Sequence, residues 1–309
     1  MPPIRTLSVH GPFRSLAHTI GRTLNENSTV RAAKNLRNDV VDRYFRRCGR
    51  AAGRRLADDL AARGVRDAVF TIAFNCPWVV ELLAAAWADH LSDVTLVVAD
   101  NSTDPAARRS HADLCRRRGL PYVALPRNPE WSPNRSHGIA VNWVWFNVIR
   151  HCPLDVAGFI DHDCIPIVDF DLRARMRNRD AYGMRGASLT HAEAWNLWAG
   201  YCFLRPAAAA GRTVDFKHRI EYGLDTGGGN WRGFYRTLAP ERVGAASYRR
   251  VSRQIAAATP AGGFLLLDEA FLHLEGVSYR TEFRDAATRG QLVRAVLEDP
   301  SGGRWAEAA

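Results

Sequence analysis

Val156-Ala-Gly-Phe-Ile-Asp-His-Asp163 is an apolar run that ends in two carboxylates one residue apart. A strand apolar on both faces belongs inside a covered sheet, which is the habit of parallel strands. Three similar runs lie upstream: Ala68-Val-Phe-Thr-Ile-Ala-Phe74, Val94-Thr-Leu-Val-Val-Ala99 and Tyr122-Val-Ala-Leu125. Helical stretches separate them. Pro77 and Pro105 suit first-turn positions, residues 78–88 carry a Val/Leu/Ala face, and Ile139 to Ile149 reads as a buried helix. Strands alternating with helices predict an α/β protein with a mainly parallel sheet flanked by helices.

Outward from this core the texture changes on both sides. Residues 1–66 are basic and mainly helical in pattern, with Val40, Val41, Tyr44 and Phe45 forming an apolar stripe among Arg43, Arg46, Arg47, Arg50, Arg54 and Arg55. That pattern fits a solvated helix packed on the domain, and it also fits a basic amphipathic face lying on an anionic membrane. Beyond residue 180 the alternation gives way to aromatic and glycine-rich sequence, where Gly227-Gly228-Gly229 suggests a mobile loop.

Bulk properties narrow the partners. With 309 residues, 47% of them hydrophobic, the chain can bury one large core or two modest ones, and one catalytic domain with appended segments is expected. The formal charge of +10 is carried mostly by arginine and admits nucleotides, anionic lipid or nucleic acid. Six cysteines contain no C-x-x-C pair, so neither a zinc knuckle nor a disulfide scaffold is indicated. No apolar run approaches the length of a membrane span, and the start Met-Pro-Pro-Ile-Arg lacks a hydrophobic signal core. A cytoplasmic location is expected, with peripheral membrane contact as an open alternative.

In an open parallel sheet, ligands bind at the carboxyl ends of the strands. Those ends carry Asn75, then Asp100-Asn101-Ser102-Thr103-Asp104, then Asp161-His162-Asp163. Two carboxylates one residue apart at a strand end can jointly face a divalent cation, and Mn²⁺ or Mg²⁺ takes oxygen ligands when it bridges diphosphate oxygens. A second such pair, Asp169 and Asp171, lies past Pro166, where a loop or helix start is expected. His162 points to the opposite side of the strand from its neighbours if the extended pattern continues.

These pieces together resemble glycosyltransferase family 2 and its A-type relatives. Asn75 after the first strand is similar to the family's opening "ipaYN" segment, and Ala99-Asp100-Asn101-Ser102-Thr103-Asp104 to its "DDGSTD", with Ala99, Asn101 and Ile72 as departures. Asn134-Arg-Ser-His-Gly138, running into Asn142, resembles its "N-x-G-x-x-x-x-x-N" helix, and Asp161-His162-Asp163 falls where its D-x-D stands. The resemblance implies the A-type fold: a Rossmann-like nucleotide-sugar-binding half at 67–180, and an acceptor-binding half at 181–309 with a C-terminal helical tail. It implies a metal-dependent hexosyltransferase using a nucleotide-diphosphate sugar, UDP-sugar favoured, and Mn²⁺ or Mg²⁺. Asp100 would contact the base, Asp161 the ribose or the metal, and Asp163 the metal, with Asn75, Ser102 and Asn134 also on the donor nucleotide. A late histidine serves as a metal ligand in several A-type transferases, and here His273 is the candidate. For Asp100 an Asx turn or helix cap is the competing reading, with Ser102 and Asp104 as rival caps.

Inverting transfer needs a carboxylate to take the acceptor proton, and the candidates are Asp225, ahead of the three glycines, and the pair Asp268-Glu269. Asp225 also reads as a solvated loop residue, Asp268 as a helix N-cap, and His273 as a hydrogen-bonded core residue. Trp195, Trp198 and Tyr201 could offer ring faces to the acceptor, lipid-linked or saccharide, or could simply fill the core. A sugar nucleotidyltransferase would want a glycine-rich basic loop after the first strand, which Asn75-Cys-Pro-Trp78 does not supply. A nucleic-acid-binding protein would leave the strand-end carboxylates unexplained, because acids at a binding face repel phosphate.

Overall fold

β1 (Asp67–Ala73) is buried at every position and pairs in parallel with β2 (Thr95–Asp100) on one side and β4 (Val156–Asp161) on the other. In this computed structural model the described residues are 28–188, 190–253, 262–297 and 306–307. β3 (Tyr122–Ala124) extends the parallel set beyond β2. Beyond β4 come β7 (Trp195–Leu204), antiparallel to it, then β6 (Ala181–Ala187) and β8 (Val243–Ala245). The seven strands therefore run β3-β2-β1-β4-β7-β6-β8. This is the mixed, mainly parallel sheet expected from the four apolar runs, each of which became a strand.

The connections follow the prolines. α3 (Pro77–His90) and α4 (Pro105–Arg118) each place proline in the first turn, where its missing N–H costs nothing. Asp104 caps α4 by accepting from the backbone N–H groups of Ala106 (2.9 Å) and Ala107 (3.3 Å), which settles the choice between the two cap candidates. α5 (Pro133–Asn147) is buried along most of its length. Asp169 is exposed, and Asp171 caps the short α6 (Leu172–Met176), so the second Asp pair is a loop and a helix start as expected.

A second sheet grows from the end of β4. β5 (Cys164–Pro166) pairs antiparallel with β11 (Phe271–His273), which continues through β10 (Gly262–Leu267) and β9 (Tyr248–Arg253) to β12 (Ala306–Glu307). α7 (Asn230–Gly233) lies in the connection before β8, and α8 (Ala286–Leu297) forms the described part of the expected helical tail. The first sheet continues without a break across residue 180, so the two expected halves share one sheet.

The chain divides into two units, residues 1–41 and 42–309. In the first, the described part is the start of α1 (Ser28–Arg47), where Leu36 and Val40 are exposed. Residues 1–27 of the expected N-terminal segment lie outside the described residues. In the second unit, Phe45 is buried, Tyr44 is exposed, and α2 (Arg50–Ala62) packs through Leu56, Ala57 and Leu60. The expected boundary near residue 66 thus falls inside the second unit. No described helix is long and apolar enough to cross a membrane.

Candidate functional site

β1 and β4 are neighbours, but the chain between them runs outward through β2 and β3 before α5 brings it back. That reversal opens a crevice at their carboxyl ends. A cleft of about 540 Å³ lies there, lined by Ile72 and Phe74 from β1 and its exit, Asn101 and Thr103 after β2, and Asp161 and Asp163 after β4.

Asp161 and Asp163 line this cleft, and the buried His273 meets them from behind its lining, each of the three offering one ligand atom within 4.8 Å of the others. His273 Nε2 is 3.3 Å from an Asp163 oxygen and 3.9 Å from an Asp161 oxygen. More than a hundred residues separate the histidine from the aspartates, and the second sheet brings them together: in the β5–β11 ladder His273 faces Cys164, the residue after Asp163. Behind it, Glu275 (φ 51°) and Gly276 (φ 73°) turn left-handed. The amides of Gly276 and Val277 then donate to Asp163 Oδ2 at 3.0 and 3.2 Å. Burial alone would raise the Asp163 pKa, but His273, with His162 and the Val277 amide, outweighs it and holds the group well below the usual carboxylate range. His273 is pulled the other way: burial lowers its pKa, and Asp163 more than reverses that. Two carboxylates and the His273 Nε2 make a donor set that a hard divalent cation such as Mn²⁺ or Mg²⁺ would accept.

His162 stands in the turn after β4, where the strand alternation no longer applies, and lines the cleft beside the carboxylates without joining their ligand group. Its Nδ1 accepts from the Phe74 amide at 3.1 Å, so Nε2 carries the proton and donates to Ser278 Oγ at 3.0 Å. Burial lowers its pKa, consistent with a neutral ring that ties the exit of β1 to residue 278.

The end of β2 departs from expectation. Asp100 is fully buried and does not line the cleft. Its oxygens accept from the Ser102 amide (2.9 Å) and the Tyr122 hydroxyl (2.9 Å), and His111 Nδ1 stands 3.3 Å away. An anion at 0% exposure keeps its charge only by such partners, so it shapes the turn instead of reaching a base. Ser102 is buried too, its Oγ accepting from the Asn75 amide at 2.8 Å. Asn75, in the left-handed region at φ 47°, has its side-chain carbonyl taken by the Thr103 and Asp104 amides at 3.0 Å. These three residues clamp β1 to β2, and the groups left facing the cleft are Asn101 and Thr103. Asn134 is exposed and lines the cleft from the first turn of α5.

In the second half, Asp225 lines the cleft and is exposed, with Thr226 beside it. Its loop is pinned. Gly227 N and Gly229 N donate to the carbonyls of Phe216 and Lys217 at 2.7 and 2.8 Å, and the Thr226 carbonyl accepts from the Ala199 amide at 3.1 Å. The 216–217 segment is anchored in turn by Asn142, whose side-chain oxygen accepts from Phe216 N at 2.8 Å. Gly227 has φ 99°, and a Cβ there would lie 2.2 Å from the Leu197 carbonyl oxygen. The glycine run therefore serves close approach and not the mobility expected of it.

Asp268 and Glu269 stand elsewhere. Both are left-handed (φ 54° and 55°) in the tight turn between β10 and β11. Asp268 is buried and accepts from the Tyr182 and Tyr201 hydroxyls, each at 2.8 Å, and from the Ser247 amide at 3.0 Å. Glu269 makes a two-pronged contact with Arg249 at 2.7 Å. Neither lines the cleft, so both leave the set of candidate bases. Removing Asp268 strands two buried hydroxyls, those of Tyr182 and Tyr201, and Asp268→Ala is expected to lower stability by about 3 kcal/mol. A wild-type melting temperature in thermal denaturation would refute that role.

Tyr201, fully buried with its hydroxyl on Asp268, is a core residue. Trp195 stacks on Tyr235 (ring centroids 5.1 Å) beneath the Arg185 guanidinium, away from the cleft. Trp198 alone of the three aromatics lines the cleft, its ring 4.8 Å from that of His273. Its indole lies across Gly200, where a Cβ would come within 2.2 Å of the ring.

The sequence reading passed over several cleft residues. His137 reaches within 3.5 Å of Asp161 Oδ1, and Trp131, Asn128, Glu130 and Tyr279 also line the cleft. His137 was legible: one helical turn after Asn134, it shares that residue's face of α5. Trp131 stands between Pro129 and Pro133, outside any apolar periodicity that would bury it.

The sheet order, the switch point and the carboxylates there define an α/β protein with an acidic crevice at the carboxyl ends of its parallel strands. No protein-family model matches the sequence, and no curated protein matches it. Solved structures that resemble the chain include S. aureus TarS, with a TM-score of 0.34 and 14% identity over 51% of this chain and 31% of that one. Another is the galactosyltransferase LgtC in complex with donor and acceptor sugar analogs (0.33, 13%, over 45% and 58%). A third is glucosyl-3-phosphoglycerate synthase from Mycobacterium tuberculosis in complex with Mn²⁺ and UDP-glucose (0.31, 15%, over 52% and 64%). The matched region thus spans between 31% and 64% of these structures' own length.

Proposed function

We propose that the chain is a metal-dependent glycosyltransferase that moves a sugar from a nucleotide-diphosphate donor, UDP-sugar favoured, to an acceptor hydroxyl. The observation that carries this reading is the convergence of Asp161, Asp163 and His273 at a cleft that also presents Asp225. Among the described residues lining the cleft there is no lysine or arginine, although the chain carries a formal charge of +10. A diphosphate entering beside Asp161, Asp163 and Asp225 needs a cation to neutralise it.

Asp161, Asp163 and His273 would hold the ion. When bound, it would supply charge neutralisation for the departing nucleotide diphosphate. Thr103 and Asn134 are placed to meet the nucleoside, while Asp100, Asn101, Ser102 and Asn75 fix the turn behind them. Asp225 is assigned as the general base. The acceptor hydroxyl oxygen forms a bond to the anomeric carbon, the bond from that carbon to the diphosphate oxygen breaks, and Asp225 takes the hydroxyl proton. The acidic cleft disfavours the nucleic-acid alternative, because phosphodiester backbones are repelled there.

The test is calorimetric titration of the chain with UDP and with GDP, each with and without Mn²⁺. Binding of one nucleotide that appears only with the metal is expected. Absence of binding to either would overturn the reading.

A further inference from the structure

Trp131 is 81% exposed and Tyr279 60% exposed, yet both line the cleft that holds the two strand-end carboxylates. Large rings held in water at the mouth of a cleft mark a surface that a ligand covers. They come from separate walls, Trp131 from the loop leading into α5 and Tyr279 from the segment that follows β11. Trp131 is positioned in advance. Asn128 Oδ1 accepts from the Glu130 amide at 3.0 Å, Glu130 Oε1 accepts from the Ser132 amide at 3.1 Å and from Arg135 at 3.3 Å, and the Arg135 guanidinium lies 5.4 Å from the indole centroid. Tyr279 N donates to the Gly276 carbonyl at 2.8 Å, closing the same turn that holds Asp163.

We propose that the acceptor is an uncharged saccharide, stacked by its ring faces on Trp131 and Tyr279 with a hydroxyl directed to Asp225. This rests on the glycosyl-transfer reading above. Three observations select that class. A pyranose has an apolar C–H face that suits a ring and a polar edge that suits water, so it can lie on an aromatic that covers only one side. A nucleobase is normally enclosed, and the more buried lining at Phe74 and Asn101 suits it better than the exposed rings of Trp131 and Tyr279. An anionic acceptor would meet Asp225, and the one guanidinium beside the Trp131 ring, that of Arg135, already has its charge paired with Glu130.

The experiment measures UDP release by the full chain with Mn²⁺ from UDP-glucose, UDP-galactose and UDP-N-acetylglucosamine. The added acceptors are lactose, cellobiose or maltose, set against glucuronic acid and glycerol phosphate, with UDP binding followed by calorimetry alongside. A neutral disaccharide is expected to stimulate release while the anions do not. Trp131→Ala and Tyr279→Ala are each expected to raise the acceptor KM about tenfold, the effect of losing one ring contact, with the UDP Kd unchanged within about twofold. Both residues are exposed, so these variants should fold. Stimulation by the anions alone overturns the proposal, as does no stimulation by any acceptor while UDP binds. It is equally overturned if Trp131→Ala weakens UDP binding as much as turnover, which would place the base on that ring. No UDP binding by the unaltered chain is a different result: it removes the transferase reading, and this inference with it.

Discussion

Asp163→Asn is expected to abolish metal-dependent nucleotide binding, weakening the affinity for UDP with Mn²⁺ by roughly a hundredfold or more, with the fold intact. Asparagine keeps a carbonyl oxygen that can still accept from the Gly276 and Val277 amides, so the turn behind β11 has its hydrogen bonds. What it loses is the negative charge that sits 3.3 Å from His273 and completes the ligand set with Asp161. A neutral amide is a poor ligand for a hard divalent ion, and changes even in groups that only support metal ligands cost about 10- to 100-fold. Calorimetry with and without Mn²⁺ reads the affinity, and thermal denaturation confirms that the variant is folded. Undiminished binding by a folded Asp163→Asn protein would remove this residue from the metal site.

Asp225→Asn is expected to lower kcat by roughly a hundred- to ten-thousandfold while leaving UDP affinity and melting temperature close to those of the unaltered chain. The side chain is exposed at the cleft, and its Oδ1 accepts from the neighbouring Thr226, at 2.7 Å from the amide and 3.3 Å from the hydroxyl. Nothing in the packing depends on its charge, so the substitution isolates the chemical role. The loop that carries it is fixed through Gly227, Gly229 and the Asn142-anchored segment at 216–217, so the base would be held in place before the acceptor arrives. If kcat is unchanged and only the acceptor KM rises, Asp225 binds the acceptor and another group takes the proton.

The fate of the aspartates shows how far sequence reaching toward a site can go. Asp161 and Asp163 were legible because a strand end fixes where two alternate residues stand. Asp100 satisfied the same rule, yet tertiary contacts claimed it: Tyr122 and His111 come from the next strand and from a helix face, neither predictable from the local run. Asp268, also at the end of an apolar run, was taken by hydroxyls 86 and 67 residues away in sequence. A carboxylate after a strand is thus a candidate by position, and its exposure decides whether it can meet a ligand.

By itself the sequence determined the mainly parallel sheet, the order of its first four strands along the chain, the proline-initiated helices and the D-x-D at the switch point. These follow from local patterns of burial and from the fixed φ of proline. The tertiary structure decided that His273 joins Asp163 through the β5–β11 ladder, that Asp225 and not Asp268 faces the cleft, and that Trp198 lines it while Trp195 and Tyr201 do not. Each of those outcomes depends on which distant strand pairs beside which, and long-range pairing leaves no period in the local sequence to read.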